Sequence, residues 1–125
     1  MNDLKKEIDI LKKCRNDNIV SYFGYCFKDQ STWVRKFSQW KSLTIDLIRC
    51  GQILMDYCGG GSVLDIMEVL ERPLTEEQII YILRETLKGL IYLHSKGIIH
   101  RDVKSANILL TETGAAKIGR LIGSS

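Results

Sequence analysis

Between Ile98 and Leu110 the chain reads Ile-Ile-His-Arg-Asp-Val-Lys-Ser-Ala-Asn-Ile-Leu-Leu, which sets Asp102, Lys104 and Asn107 within six residues of one another. An aspartate can accept the proton of a hydroxyl. A lysine two residues on can meet a phosphate in transfer, and an asparagine three further on can hold a metal ion. Together these types suit phosphoryl transfer to a hydroxyl, a reaction in which the protein does little covalent work and acts by positioning groups and neutralising charge. The flanking apolar runs, Ile98-Ile99 and Ile108-Leu109-Leu110, read as short buried strands that hold the loop rigid.

The elements that must position this loop are legible upstream. Thr75 with Gln78 three residues later forms a capping box after Pro73-Leu74, Glu76 and Glu77 favour the N-terminal dipole, and Gly97 supplies the stop. A helix of roughly 21 residues, about 30 Å long, is therefore expected. Its apolar stripe is Ile79, Leu83, Leu87, Leu90 and Leu93 or His94. Before it, Ser62 is placed to cap a short helix through about Leu70, and Cys58-Gly59-Gly60-Gly61 is a connector whose backbone can turn and let a ligand approach closely. Ile53 to Tyr57 reads as a strand, as does Ile19 to Phe27, with a further short strand starting near Thr32-Trp33. Asn16-Asp17-Asn18 is turn chemistry, and Leu4, Ile8 and Leu11 mark an opening helix to about Cys14.

The bulk numbers set the bounds. At 125 residues, 45% apolar and 26% charged, the chain fits one globular domain, and its single proline leaves no evident linker. The four cysteines form no Cys-x-x-Cys pair and stand beside only two histidines, so reduced thiols are expected and zinc is not. No membrane span or signal peptide is legible, and a cytoplasmic protein is expected. The net charge of +3 is mild, and Lys5-Lys6, Lys12-Lys13 and Arg35-Lys36 are interleaved with acids as on a solvated helix face, so nucleic acid is not expected as a partner.

The order of elements and the pattern His100-Arg101-Asp102-x-Lys104-x-x-Asn107 followed by Ile108-Leu109-Leu110 resemble the middle of a protein kinase domain. Lys104 resembles the residue of the serine/threonine class. Lys6-Glu7-Ile8 with Leu11 to Cys14, Ile53 to Ser62, Leu74 to His94 and the loop itself resemble the sterile-twenty and Hippo branch, the germinal-centre kinases. The resemblance implies a partial kinase fold of α+β class, running from the helix of the N-terminal lobe, through the hinge, into the first half of the helical lobe through the catalytic loop. It implies ATP and Mg²⁺ as cofactors and a protein Ser/Thr hydroxyl as substrate. Asp102, Lys104 and Asn107 would be catalytic, with Asn107 also a metal ligand. Met55 would be the gatekeeper, and Asp56 and Cys58 the hinge groups that bond adenine. Ser62 would contact ribose and Leu109 would floor the adenine. Glu7 would be the acid that pairs with a strand lysine, and His100 a packed support for the loop.

Three departures accompany the match. The glycine-rich phosphate loop and the strand lysine of the family would precede Met1. Removing Val34 to Gln52 would join Trp33 to Ile53 and restore a continuous family reading, so residues 34–52 are expected to be an insertion: either an intron translated in frame, since Val-Arg can be encoded GTAAGA and Gln CAG, or a hairpin extension between two strands. After Lys117-Ile118-Gly119, where the family places Asp-Phe-Gly, the chain has Arg120-Leu121-Ile122-Gly123, and no acid follows Glu112. A guanidinium there would repel Mg²⁺. The expectation is a serine/threonine kinase by descent that is inactive as written. The alternative is a non-catalytic pseudokinase or docking module that engages a kinase or scaffold.

Overall fold

A computed structural model of the chain describes residues 12–27, 43–48 and 51–119. The opening helix, Glu7 and the strand expected at Thr32-Trp33 lie outside the described residues. The chain divides into two compact units that interleave in sequence: Met1–Arg15 with Ser21–Tyr57, and Asn16–Val20 with Cys58–Ser125.

The first unit is built on a three-stranded antiparallel sheet, ordered β1-β3-β2, of β1 (Tyr22–Phe27), β2 (Leu43–Ile48) and β3 (Gly51–Asp56). β3 lies in the middle. It pairs with β1 from Tyr22↔Met55 to Phe27↔Gly51, with a bulge between Tyr22 and Gly24, and with β2 from Leu43↔Asp56 to Ile48↔Gly51. The strand expected at Ile53 to Tyr57 is thus present, and β2 falls within the segment 34–52. Asp56 closes the far end of the sheet: its backbone N–H donates to the Ser21 carbonyl at 3.0 Å, and its carboxylate accepts from the Ser21 N–H at 3.0 Å.

The second unit places two helices beside a second antiparallel sheet. Its elements are β4 (Gly61–Ser62), α1 (Val63–Leu70), α2 (Glu76–Ser95), β5 (Ile108–Leu110) and β6 (Ala116–Ile118), and its strands are ordered β4-β5-β6. With the first sheet, this bears out the α+β class. Both caps form as the residue types require. Ser62 Oγ accepts from the Asp65 N–H while the Asp65 carboxylate accepts from the Ser62 N–H, and Thr75 and Gln78 make the same reciprocal pair. At the other end of α2, Gly97 has φ +73°, its N–H donates to the His94 carbonyl, and the Ile98 N–H reaches back to the Leu93 carbonyl. That is a Schellman stop. Ile98 is consumed by this stop, so Ile98-Ile99 is not the buried strand its composition predicts, and Ile99 is 67% exposed.

Strand propensity from Ile19 onward is divided in the same way. Only Tyr22–Phe27 enters β1; Ile19 bridges Ile118 of β6, the Val20 N–H donates to the Ile118 carbonyl, and the Ile118 N–H donates to the Asn18 carbonyl. Asn16 opens this segment as an Asx turn, its side-chain oxygen accepting from the Asn18 N–H at 2.9 Å. One part of the core comprises Val63, Ile82, Ile108 and Ala116 with Met67, Leu74 and Leu110 against them. Ile19, Val20, Leu93 and Ile118 are buried completely or nearly so.

Helix α2 buries a different face from the stripe of large side chains. Ile82, Thr86, Gly89 and Leu93 point inward, whereas Ile79, Leu83 and Leu87 are exposed; of the two residues read as the end of the stripe, Leu93 is buried and His94 is exposed. The reason is distance. A Cβ added at Gly89 would lie 2.8 Å from the Asn18 carbonyl oxygen and 2.9 Å from Ile118 Cδ1, so the face with the small residue is the one that admits the 16–20 segment and β6.

Candidate functional site

The second unit alone holds the polar cluster centred on Asp102. After the Schellman stop the chain turns at Arg101, whose φ of +67° is a left-handed conformation costing an ordinary residue about 1–2 kcal/mol. His100, only 2% exposed, pins the turn from inside. Its Nδ1 accepts from the Asp102 backbone N–H at 3.2 Å, so the ring proton belongs on Nε2, which donates to the Gly119 carbonyl at 2.8 Å. The Gly119 N–H in turn donates to the Asn107 carbonyl at 2.9 Å. One buried imidazole thus ties the loop to the end of β6, as expected of a packed support.

Lys104 is extended and leads into a tight 3₁₀ turn, Ser105–Asn107, closed by the Asn107 N–H on the Lys104 carbonyl. This turn carries Asn107, itself buried, back over Asp102. Both hydrogens of its amide nitrogen are spent there, on the Asp102 carbonyl at 2.8 Å and on Asp102 Oδ2 at 2.9 Å. Lys104 Nζ meets the same Oδ2 at 3.1 Å. The structure therefore gathers Asp102, Lys104 and Asn107 into one cluster. Asp102 Oδ1 has no partner among the described residues.

The Lys104 ammonium holds the Asp102 carboxyl below the usual carboxylate range; partial burial opposes the shift, and the Asn107 amide, the Lys104 charge and His100 add to it. Asp102 is therefore ionised at neutral pH. One carboxylate oxygen is anchored by two donors, and the other keeps its lone pairs and can accept a hydrogen bond. The Lys104 ammonium is more than half exposed and can reach an anion.

The remaining candidates are distributed between the units. Ser62 pairs with Leu109 and Gly61 with Leu110 across β4 and β5, which puts Ser62 and Leu109 side by side in the second unit. The Ser62 hydroxyl is buried and caps α1. Cys58 belongs to the same unit and its carbonyl accepts the Gly61 N–H. Met55 and Asp56 belong to the first unit, at the end of β3. The close approach expected at the glycine run is made by the chain itself: a Cβ on Gly60 would sit 2.8 Å from the Leu110 carbonyl oxygen, which accepts the Gly60 N–H.

The donors present do not fit the Mg²⁺ that the resemblance implies. Asn107, its amide hydrogens spent, offers one neutral carbonyl oxygen, and Asp102 is already countered by Lys104. Mg²⁺ demands octahedral oxygen coordination and is bound through one or two carboxylates with substrate phosphates. Among the described residues no three His, Cys, Asp or Glu side chains gather to hold a metal. Arg120 lies outside the described residues.

Sequence reasoning missed the polar tie between α2 and the 16–20 segment. Asn18, read only as a turn residue, is buried and donates through Nδ2 to Glu85 Oε2 at 2.8 Å and to the Ala116 carbonyl at 3.1 Å. Lys88 and Arg84 converge on Glu85 Oε1 at 2.8 and 3.2 Å. The Lys88 hydrogen bond, then that of Asn18, hold the Glu85 carboxyl down at about 2; partial burial opposes them, and Arg84 adds to them. The Glu85/Lys88 spacing was a legible signal for the ion pair. Nothing local signalled Asn18.

Comparison with known proteins accords with this geometry. Residues 1–120 match the protein kinase domain family. The chain is 47% identical over 116 residues to serine/threonine-protein kinase dst2 of Dictyostelium discoideum, covering 93% of this chain and 8% of that protein. It is 45% identical over 115 residues to human mitogen-activated protein kinase kinase kinase kinase 3, covering 92% of this chain and 11% of that protein. With serine/threonine-protein kinase cst-1 of Caenorhabditis briggsae the figures are 40% over 118 residues, 94% and 20%. The chain thus spans a fifth or less of the length of these relatives. The helix stop, the His100 tie and the Asp102–Lys104–Asn107 cluster occur on a sequence that matches this family almost throughout, and the chain belongs to the protein kinase domain family, with its similarity running to serine/threonine kinases of the sterile-twenty type.

Proposed function

We propose that this chain derives from a kinase that transfers the γ-phosphate of ATP to serine or threonine hydroxyls of proteins, and that it is itself inactive in transfer. The observation that supports descent is the Asp102 carboxylate, with Oδ2 held by Lys104 and Asn107 and Oδ1 without a partner among the described residues. In this reading Asp102 orients the hydroxyl and accepts its proton, and Lys104 neutralises charge on the phosphoryl group in flight. Asn107 fixes the carboxylate, and its part as a metal ligand belongs to the ancestral kinase, since the donors present here do not fit Mg²⁺. Met55, Asp56, Cys58, Ser62 and Leu109 would receive the adenosine, and Glu7 would serve the phosphates through a lysine. The activity fails for want of a carboxylate at the metal, position 120 being Arg. Residues 1–125 are read as one kinase domain with an insertion at 34–52, in the cytoplasm; no helix among the described residues is long and apolar enough to cross a membrane.

The test is phosphate transfer from ATP to a generic Ser/Thr protein substrate, with and without Mg²⁺. No transfer is expected, and restoring an acid with Arg120→Asp should raise Mg²⁺ affinity. Clear Mg²⁺-dependent transfer by the unaltered chain, abolished in Asp102→Ala, would refute inactivity. A second reading, a docking module for a kinase or scaffold, is favoured by the exposed row Ile80, Leu83, Leu87 and Ile91 on α2. It requires that Leu83→Glu with Leu87→Glu abolish binding of such a partner while leaving the far-UV circular dichroism unchanged.

A further inference from the structure

Within the second unit, β6 is gripped along both edges. On one edge the Ile118 N–H donates to the Asn18 carbonyl at 2.8 Å, the Ile118 carbonyl accepts the Val20 N–H at 2.9 Å, and the Ala116 carbonyl accepts from Asn18 Nδ2 at 3.1 Å. On the other edge Lys117 pairs with Leu109, and Gly119 continues the ladder by donating to the Asn107 carbonyl while its own carbonyl accepts from His100 Nε2. Backbone groups of a strand alternate between its edges. What holds Ala116 and Ile118 therefore sets where the Gly119 carbonyl stands.

Asn18 supplies most of that hold. Its carbonyl and one side-chain amide hydrogen reach β6, at Ile118 and Ala116, and the other amide hydrogen reaches Glu85 of α2. Its own N–H is taken by Asn16 Oδ1, so the residue cannot turn without breaking several bonds. There is little room to slide, since a Cβ on Gly89 would meet both the Asn18 carbonyl and Ile118. From Gly119 the path to the polar cluster is short. The Gly119 carbonyl keeps the ring proton of His100 on Nε2, which leaves Nδ1 to accept the Asp102 N–H.

We propose that Asn18 is a positioning residue for Asp102: through β6 and the Gly119 carbonyl it holds His100 in the tautomer that anchors the Asp102 backbone. The value of Asp102 to chemistry rests on the reading of descent from a kinase; the coupling does not. Such a path counts as coupling only when a change at one end is read at the other.

Nuclear magnetic resonance of the full chain reads the far end, as the ring nitrogen of His100 that carries the proton and the exchange rates of the Asp102 and Gly119 amides. Asn18→Leu keeps the size and removes both donors. It should bring in a second His100 tautomer and speed exchange at both amides at least about tenfold. Glu85→Gln keeps an acceptor for Asn18 and should leave the ring unchanged. Val63→Ala loosens the core of the same unit but removes no hydrogen bond of this path, so it should lower the melting temperature and leave the tautomer alone. Should Asn18→Leu not fold, Glu85→Ala removes the α2 end of the tie by itself, and the same changes are expected in smaller measure. An unchanged ring in Asn18→Leu, or in Glu85→Ala where it stands in, overturns the proposal. So does a second tautomer in Val63→Ala, which would mark a general loosening, or one in Glu85→Gln as large as in Asn18→Leu, which would assign the effect to charge. No nucleotide enters these measurements, so their failure leaves the kinase reading standing, and failure of that reading leaves them as they are.

Discussion

The two sides of α2 invert the usual correspondence between side-chain size and burial. Its inward side carries Ile82, Thr86, Gly89 and Leu93, of which two are small or polar, while its outward side carries Ile79, Ile80, Leu83, Leu87 and Ile91. The inward side is chosen by how near a backbone can come. Gly89 lets the Asn18 carbonyl and Ile118 approach to distances that a Cβ would forbid, and that approach brings Asn18 within reach of Glu85 and Ala116. Large side chains on the other face make the helix amphipathic in composition without deciding which face is covered in this chain.

The comparison can be tested by paired substitutions, and the largest effect should separate two leucines of one helix. Leu93 is fully buried, and Leu93→Ala should cost about 2–5 kcal/mol in urea unfolding. Leu87 is 57% exposed, and Leu87→Ala should stay within about 0.5 kcal/mol. Equal losses would show that both sides are packed. Next comes Gly89→Ala. Helix propensity alone favours it by about 1 kcal/mol, but the added methyl would meet a backbone oxygen rather than a flexible side chain. Overpacking of this kind costs about 1–3 kcal/mol, so a net loss is expected; a gain in melting temperature would show that the 16–20 segment yields.

A smaller effect of opposite sign is expected at Thr86, whose buried hydroxyl has no hydrogen-bond partner among the described residues. Thr86→Val keeps the shape and removes the desolvated group, and should stabilise by about 1 kcal/mol. Thermal melts would show it, and destabilisation would mean that the hydroxyl is bonded in solution. The last effect is confined to acid. Glu85 is held near 2 in the folded state against an ordinary 4.5, so between those values the unfolded chain binds more protons. The stability that Glu85 contributes is complete above about pH 4.5 and is lost as pH falls toward 2. Glu85→Gln should flatten that slope in pH-dependent unfolding, and an unaltered slope would show that Asn18 and Lys88 do not hold the carboxylate.

Much of the site was legible because its chemistry is short in range. Asp102, Lys104 and Asn107 meet through a single 3₁₀ turn, and both capping boxes join residues three apart. Errors arose where a residue had two claims on it. Ile98 was apolar enough for a strand, yet the Gly97 stop took its N–H. The run Gly59-Gly60-Gly61 was expected to let a ligand approach, and at Gly60 the close neighbour among the described residues is β5, which no local pattern records. Ile19 and Val20 had the propensity of β1 but pair with β6, across about a hundred residues.

By itself the sequence determined the helix ends, the turn at Asn16, the middle strand of the first sheet, the family and the three residues of the polar cluster. These depend on residue types a few positions apart, whose backbone demands are met or refused locally. Only the tertiary structure decided which face of α2 is buried, that Asn18 holds Glu85, that His100 binds Gly119 and that β2 covers β3. Each of these joins segments that meet in space, and their choice rests on how closely two backbones can approach, which no single stretch of residues records.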